Sequence, residues 1–359
     1  MYKIILAYSL FIIIGCSSET SPFTLLKPTQ IVSKNLDDEK ILIGENLILP
    51  GILNPSRLLV CGDYLLVNSM NSEPFQLRVI SLNKADSSIT AIPTGEGPGE
   101  LLDVYQMQCI NDEMALIYSM RLKKVVFYPI DSLLHSGKPV QETSLRGPYP
   151  KYPFIIDNHL MAMSYTFKPF KRIILYDHSG QAFNYDMNYP HMLEGMSEMD
   201  YPEIFTSNIA IAGDQLVIAH QNMDLIQLFH WQDTGFINSM NIYGPDLYLP
   251  EFKSVDHEDG AHETLPITDK TKDAYFSVQA NAQEIWALYS GMISFPSDKM
   301  DTRDRQQLDQ LLVFDWNGKL INRYKLSSPI LSRFTVDFNR HEIYGIAIKD
   351  DVQIVRFKY

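Results

Sequence analysis

The chain has 359 residues, of which 45% are hydrophobic, 11% aromatic and 20% charged, a balance that supports a packed core and excludes a disordered, collagen-like or coiled-coil chain. Its 30 Lys and Arg against 43 Asp and Glu give a formal charge of −13, which argues against a surface built for nucleic acid or anionic lipid. Three cysteines in this length exclude a disulfide scaffold and a cysteine-rich zinc module.

The first element is an address. Lys3 precedes an apolar run from Ile4 to Ile14, interrupted only by Ser9. The run is too short to span a bilayer as a helix but suits a signal-peptide core. It ends in Ile13-Ile14-Gly15-Cys16 and passes into the polar Ser17-Ser18-Glu19-Thr20-Ser21. This resembles a bacterial lipobox. The resemblance implies cleavage between Gly15 and Cys16, a diacylglycerol on the Cys16 sulfur, and the membrane as a partner through that lipid. Residues 1–15 are then a signal peptide, 16–29 a lipidated tether, and 30–359 a single domain in the cell envelope. The outer membrane is the expected site, with its periplasmic face favoured over the cell surface because the tether carries one acid, Glu19. An ordinary signal peptide or a buried N-terminal strand are the plainer alternatives.

With Cys16 lipidated, Cys61 and Cys109 remain, each just ahead of a corresponding strand of the repeat below. A bond between them is conceivable in an oxidising compartment, but two small buried hydrophobes is the ordinary reading.

From residue 55 onward one pattern recurs: a short strand, a turn with Asp, Asn or Gly, an apolar strand, a polar gap, then a strand rich in aromatics. The apolar strands run through Leu65, Leu116, Leu160, Leu216, Ile285 and Ile343. Taking Ile80, Phe127, Tyr176, Phe229, Phe314 and Phe357 as equivalent spaces the third strands 47, 49, 53, 85 and 43 residues apart. These spacings predict six copies, one stretched by an insertion. A unit of three or four antiparallel strands cannot bury both faces alone. Strands apolar on both faces suit sheets sandwiched between neighbours, so the copies are expected to stack radially. The predicted fold is an all-β, six-bladed β-propeller; a two-sheet sandwich would need fewer, more evenly alternating strands. Only Asp131–His135 and Asp301–Leu311 could carry a helical turn or more.

Strand counting predicts how the ring closes. Copies one to five each have a fourth strand, whereas copy six reaches Tyr359 immediately after its third. A strand-like stretch from Ile41, or the one before it from Gln30, should complete the last blade and remove an open edge.

Several segments then look familiar. The lipobox, the Gly95-Glu96-Gly97-Pro98-Gly99-Glu100 turn, the fifth copy from Ile285 and the closing stretch from Phe334 resemble the TolB-like six-bladed propeller lipoproteins of Bacteroidetes, with looser likeness to NHL-type propellers. The resemblance implies fold and location and carries over no catalytic residue.

Three segments could carry chemistry. Gly95–Glu100 has glycine amides that invite a phosphate-loop reading. Its spacing is GxGxG, no helix follows, Pro98 lacks a donor, and Glu96 and Glu100 would repel the anion, so a blade-to-blade crossover is expected. The insertion Gly244–Asp273 holds Asp256, His257 and His262, carboxylates and imidazoles that could meet a ligand. Their spacing matches no metal motif, and a solvated acidic loop is the plainer reading. The insertion Asn184–Phe205 holds Tyr189, His191, Met192 and Tyr201 with no strand or helix period, as an adaptable recognition surface would or as a loop burying its own apolar groups. Both insertions connect successive copies, so they should emerge side by side on one face. No nucleophile motif, metal site or cofactor signature appears. Two functions remain: a tethered binding or scaffold propeller for a protein, peptide or glycan, and a propeller hydrolase or lyase acting on carbohydrate, lactone or peptide at the central funnel.

Overall fold

The computed structural model describes residues 25–32, 39–49, 52, 54–69, 74–84, 88–135, 138–164, 169–191, 196–248, 250–257, 260–266, 271–293, 308–349 and 351–359. Cys16, and with it the predicted signal peptide, lies outside the described residues, as does Met192.

Six antiparallel sheets follow one another along the chain. Blade 1 is Pro55–Cys61, Tyr64–Ser69, Phe75–Ser81 and Ser88–Pro93. Blade 2 is Gln106–Ile110, Met114–Ser119, Lys124–Pro129 and Gln141–Ser144. Blade 3 is Pro150–Ile156, His159–Ser164, Lys171–Tyr176 and Ala182–Asn188. Blade 4 is Ser207–Ala212, Gln215–His220, Leu225–Gln232 and Gly235–Tyr243. Blade 5 is Tyr275–Ala280, Glu284–Tyr289, Leu308–Asp315 and Leu320–Ile330. Blade 6 is Phe334–Asp337, Glu342–Ile348 and Val352–Lys358. The first strand of each blade touches that of the next, and that of blade 6 touches that of blade 1, so the ring is closed.

The packing explains the sequence pattern. Each interface between neighbouring blades holds its own apolar layer, such as Leu66 and Val79 of blade 1 against Ala115 and Val126 of blade 2. A middle strand therefore buries both faces, and period-two alternation disappears. The aromatics of the third strands fill these layers. In five blades the assigned aromatic or Ile pairs with the second residue of the second strand, as Phe229 does with Leu216. In blade 2 that place belongs to Tyr128, opposite Ala115, one residue beyond the expected Phe127.

Blade 6 is completed by Gly44–Leu47, antiparallel to Val352–Lys358 with Gly44 opposite Phe357 and Leu47 opposite Ile354. A side chain at residue 44 would come within 2.7 Å of Val355 Cγ1, which requires glycine there. The N-terminal segment does more than close the ring. Thr29–Ile31 adds a parallel fifth strand outside Gly235–Tyr243, and Glu39–Leu42 adds another outside Leu320–Ile330. One strap thus binds the outer edges of blades 4, 5 and 6.

Two local expectations change. Cys61 and Cys109 form a disulfide with their Cα atoms 5.3 Å apart, rather than packing as separate hydrophobes. The cause is radial: first strands converge on the axis, so equivalent ends of blades 1 and 2 come within bonding distance. Asp131–His135 lies in the helix Ile130–His135. Leu308 to Leu311, the end of the second stretch that could carry a helical turn, belongs to a strand, while 301–307 lies outside the described residues. The ladder to blade 5's second strand overrides the local polar pattern there.

Candidate functional site

In a four-stranded blade the links between blades and those between second and third strands leave the same face. Both insertions therefore emerge together, after blade 3 and after blade 4. The first contains a short helix, Tyr201–Ile204, and the second a hairpin, Phe252–Asp256 with His262–Pro266.

The two insertions meet around Asp200, whose side chain is fully buried. Asp200 Oδ1 accepts from Ser254 Oγ at 2.7 Å, Thr264 Oγ1 at 2.7 Å and His262 Nε2 at 2.8 Å. Its Oδ2 accepts from Ser197 N and Oγ at 2.8 and 2.9 Å. Burial alone would raise this carboxyl, but the donors outweigh it and hold Asp200 far below the usual carboxylate range. His262 also meets Asp256 through Nδ1 at 2.7 Å. With a carboxylate at each ring nitrogen, both must donate, so the imidazolium is favoured. Hydrogen bonds to Asp256 and Asp200 accordingly raise His262 above its ordinary value.

Tyr189 and Tyr201 are 5% exposed each and pack with Phe205 in tilted and edge-to-face contacts under the loop. His191 is exposed, with Nδ1 2.9 Å from the Tyr201 hydroxyl. His257 pairs with Glu263 at 3.1 Å in solvent, and Asp256 is 86% exposed. The structure thus joins the two insertions through a buried carboxylate and turns the tyrosines inward. Asp200 escaped sequence reasoning because an isolated Asp between Met199 and Tyr201 gives no local signal of burial.

A pH dependence follows. Asp200, lowered on folding, stabilises the latch above its ordinary 3.8 and loses that effect as pH falls through its folded value. His262, raised on folding, stabilises it below its ordinary 6.5 and loses that effect as pH rises through its folded value. The latch is therefore expected to be tightest between pH 3.8 and 6.5, and His262 to titrate above 6.5 in a proton NMR experiment. A His262 midpoint at or below 6.5 in the folded protein would contradict the bridging arrangement.

The Gly95–Glu100 turn binds its own carboxylates. Gly97 N donates to Glu100 Oε2 at 2.8 Å and Gly99 N to Glu142 Oε1 at 2.6 Å, so the amides that a phosphate would need are occupied.

At the axis, the insertion-bearing face opens into a funnel. First strands begin on this face, so each blade presents at least one residue near its start, among them Arg57, Tyr105, Tyr152, Asn208, Ser277 and Arg333. They surround a chamber of about 80 Å³ that shares walls with a channel of about 420 Å³ opening on the opposite face. Bulges interrupt the ladder beside Arg57, Tyr152 and Ser277, re-aiming side chains at the rim. Tyr152 sits at φ 51°, a left-handed backbone that a bulky residue adopts only when its surroundings impose it.

The rim is a connected polar group. Arg57 Nε donates to Val104 O at 3.1 Å, and its guanidinium lies 5.1 Å from the centre of the Tyr105 ring. Tyr105 stacks on Tyr152 with ring centres 5.8 Å apart. Arg333 donates through Nη1 to Asn208 Oδ1 at 3.3 Å, and its positive charge acts on Tyr152. Burial, then Arg333, pushes Arg57 down to about 10. Burial would raise Tyr152, but Arg333 and Lys151 outweigh it and set the phenol below its ordinary value. Nearby Asp103 is committed to Ser119 Oγ and the amides of Met120 and Arg121.

A closed ring of six blades with a polar axial funnel defines a six-bladed β-propeller. Residues 52–339 match the model of the TolB-like 6-blade propeller family, and the chain belongs to that family. Among solved structures it is similar to a Bacteroides fragilis protein described as exported, at 13% identity and a TM-score of 0.55, covering 92% of this chain and 98% of that one. It is also similar to a Bacteroides vulgatus member of the DUF4221 family, at 10% identity and a TM-score of 0.54, covering 89% and 97%. No match was found among the curated proteins.

Proposed function

We propose that this chain is a binding propeller of the cell envelope, tethered through lipid on Cys16, that holds a ligand in the axial funnel beneath the latched insertions. The observation that carries the reading is the funnel rim, where all six blades supply at least one side chain and the stacked Arg57, Tyr105 and Tyr152 are fixed before any ligand arrives. A protein, peptide or glycan end fits this funnel, and the exposed His191, His257 and Asp256 stand on the same face to extend the contact. The lipobox and the exported relative support the location.

One observation favours the second reading, a hydrolase or lyase. Tyr152, held below its ordinary value by Arg333 and Lys151, could take a proton from a bound carbohydrate, lactone or peptide. Turnover of such a substrate by the purified domain, lost in Tyr152→Phe while binding persists, would replace binding by catalysis. For the tether, Cys16→Ala is expected to release folded protein from the membrane fraction, and retention there would reject it.

A further inference from the structure

Building on the funnel as a ligand site, we infer that its mouth is an oxyanion site, in which Arg57 and Arg333 together hold a carboxylate or phosphate group of the ligand.

The two guanidinium groups come from adjacent blades and line the same small chamber, where they repel each other. Among the described residues no Asp or Glu lines that chamber; Asp103, which acts on Arg57 from outside it, is committed to Ser119, Met120 and Arg121. Placing two half-buried cations side by side in a protein of formal charge −13 is unfavourable until an anion joins them. Donors also exceed acceptors. A guanidinium has five N–H groups, and Arg57 is seen to use one of them, on Val104 O. The acceptor of Asn208 is taken by Arg333, while its amide donates to Tyr275 O at 3.2 Å. Tyr105 holds the Arg57 plane against its ring, so the fork is oriented in advance for a planar or tetrahedral oxyanion. Lys151, 5.6 Å from the Tyr152 ring centre, adds a third cation at the rim. The chamber admits an oxyanion, and the channel below can take part of its carrier.

The test is thermal melting and calorimetry of the whole domain at fixed ionic strength with three probes: D-galacturonate, inorganic phosphate and D-galactose. Saturable stabilisation is expected with at least one of the two anions, and comparing them separates carboxylate from phosphate. Galactose is expected to give none. Arg57→Gln and Arg333→Gln should each weaken anion binding at least tenfold. Asn208→Asp supplies an internal carboxylate beside Arg333 and should abolish the anion response while the fold melts cooperatively, which keeps the test decisive if an arginine variant fails to fold. No saturable response to either anion, or one that persists in Asn208→Asp and in the folded arginine variants, would overturn the inference. Galactose binding in the funnel that is indifferent to these changes would overturn the oxyanion site and leave the binding propeller standing.

Discussion

Deleting residues 29–47 is expected to abolish cooperative unfolding and to drive the protein into aggregates. The deletion strips the outer edge from Gly235–Tyr243, Leu320–Ile330 and Val352–Lys358 at once, exposing three rows of unpaired backbone groups. It also removes buried Val32 and Leu42 from two inter-blade layers, and the ion pairs Glu39–Arg323 at 3.1 Å and Glu45–Arg356 at 2.6 Å. The exposed pairs add little; the lost ladders and apolar contacts decide the outcome. A control deletion should stop at residue 24, because Leu26 N donates to the Tyr243 hydroxyl and Leu25 packs beneath the insertions. Differential scanning calorimetry distinguishes the cases, and a parent-like single transition in the longer deletion would refute the role assigned to the strap.

Replacing Cys61 and Cys109 together by Ala should lower stability by roughly 4 kcal/mol, the chain-entropy figure for a loop of this length. The bond closes a loop across a separation of 48 residues and ties the first strands of blades 1 and 2 at the channel wall. The fold should persist, since Leu59, Leu66, Ala115 and Ile117 still pack between the blades. Denaturant melts of the parent with and without reductant, beside the double variant, measure the difference. Coincident midpoints would show that the bond contributes nothing.

The propeller was legible because its cause repeats. Each blade must bury both faces of its middle strands, so an apolar strand followed by an aromatic one recurs six times, and a missing fourth strand in the last copy points to the N terminus. The two insertions were legible as interruptions of that rhythm. What they contain was less so. Tyr189 and Tyr201 could face either way in an aperiodic loop, and burial is decided by Phe205 and Tyr243 beneath them, which pattern alone does not place. The funnel left no local trace. Its rim takes at least one residue from each blade, and Arg333 meets Asn208 across 125 positions. A basic residue at the start of an inner strand resembles any strand-flanking charge until six strands converge.

The strap also fixes an order of assembly. Its partners lie far downstream: Lys40 bonds to Asn322 across 282 positions, and Glu45 to Arg356 across 311. Thr29–Ile31 and Glu39–Leu42 must wait for blades 4 and 5, and Gly44–Leu47 can find its place only after the last strand of blade 6 has emerged. Blades 1 to 3 can stack as they appear, because their contacts are between neighbours in sequence. The sealing contacts are the longest-range among the described residues and should form in the slowest step. A chain interrupted before Val352 therefore carries an N-terminal strand with no edge to join. Arrival of the last strand is read out by whether Gly44–Leu47 becomes ordered, a folding checkpoint built from strand order alone.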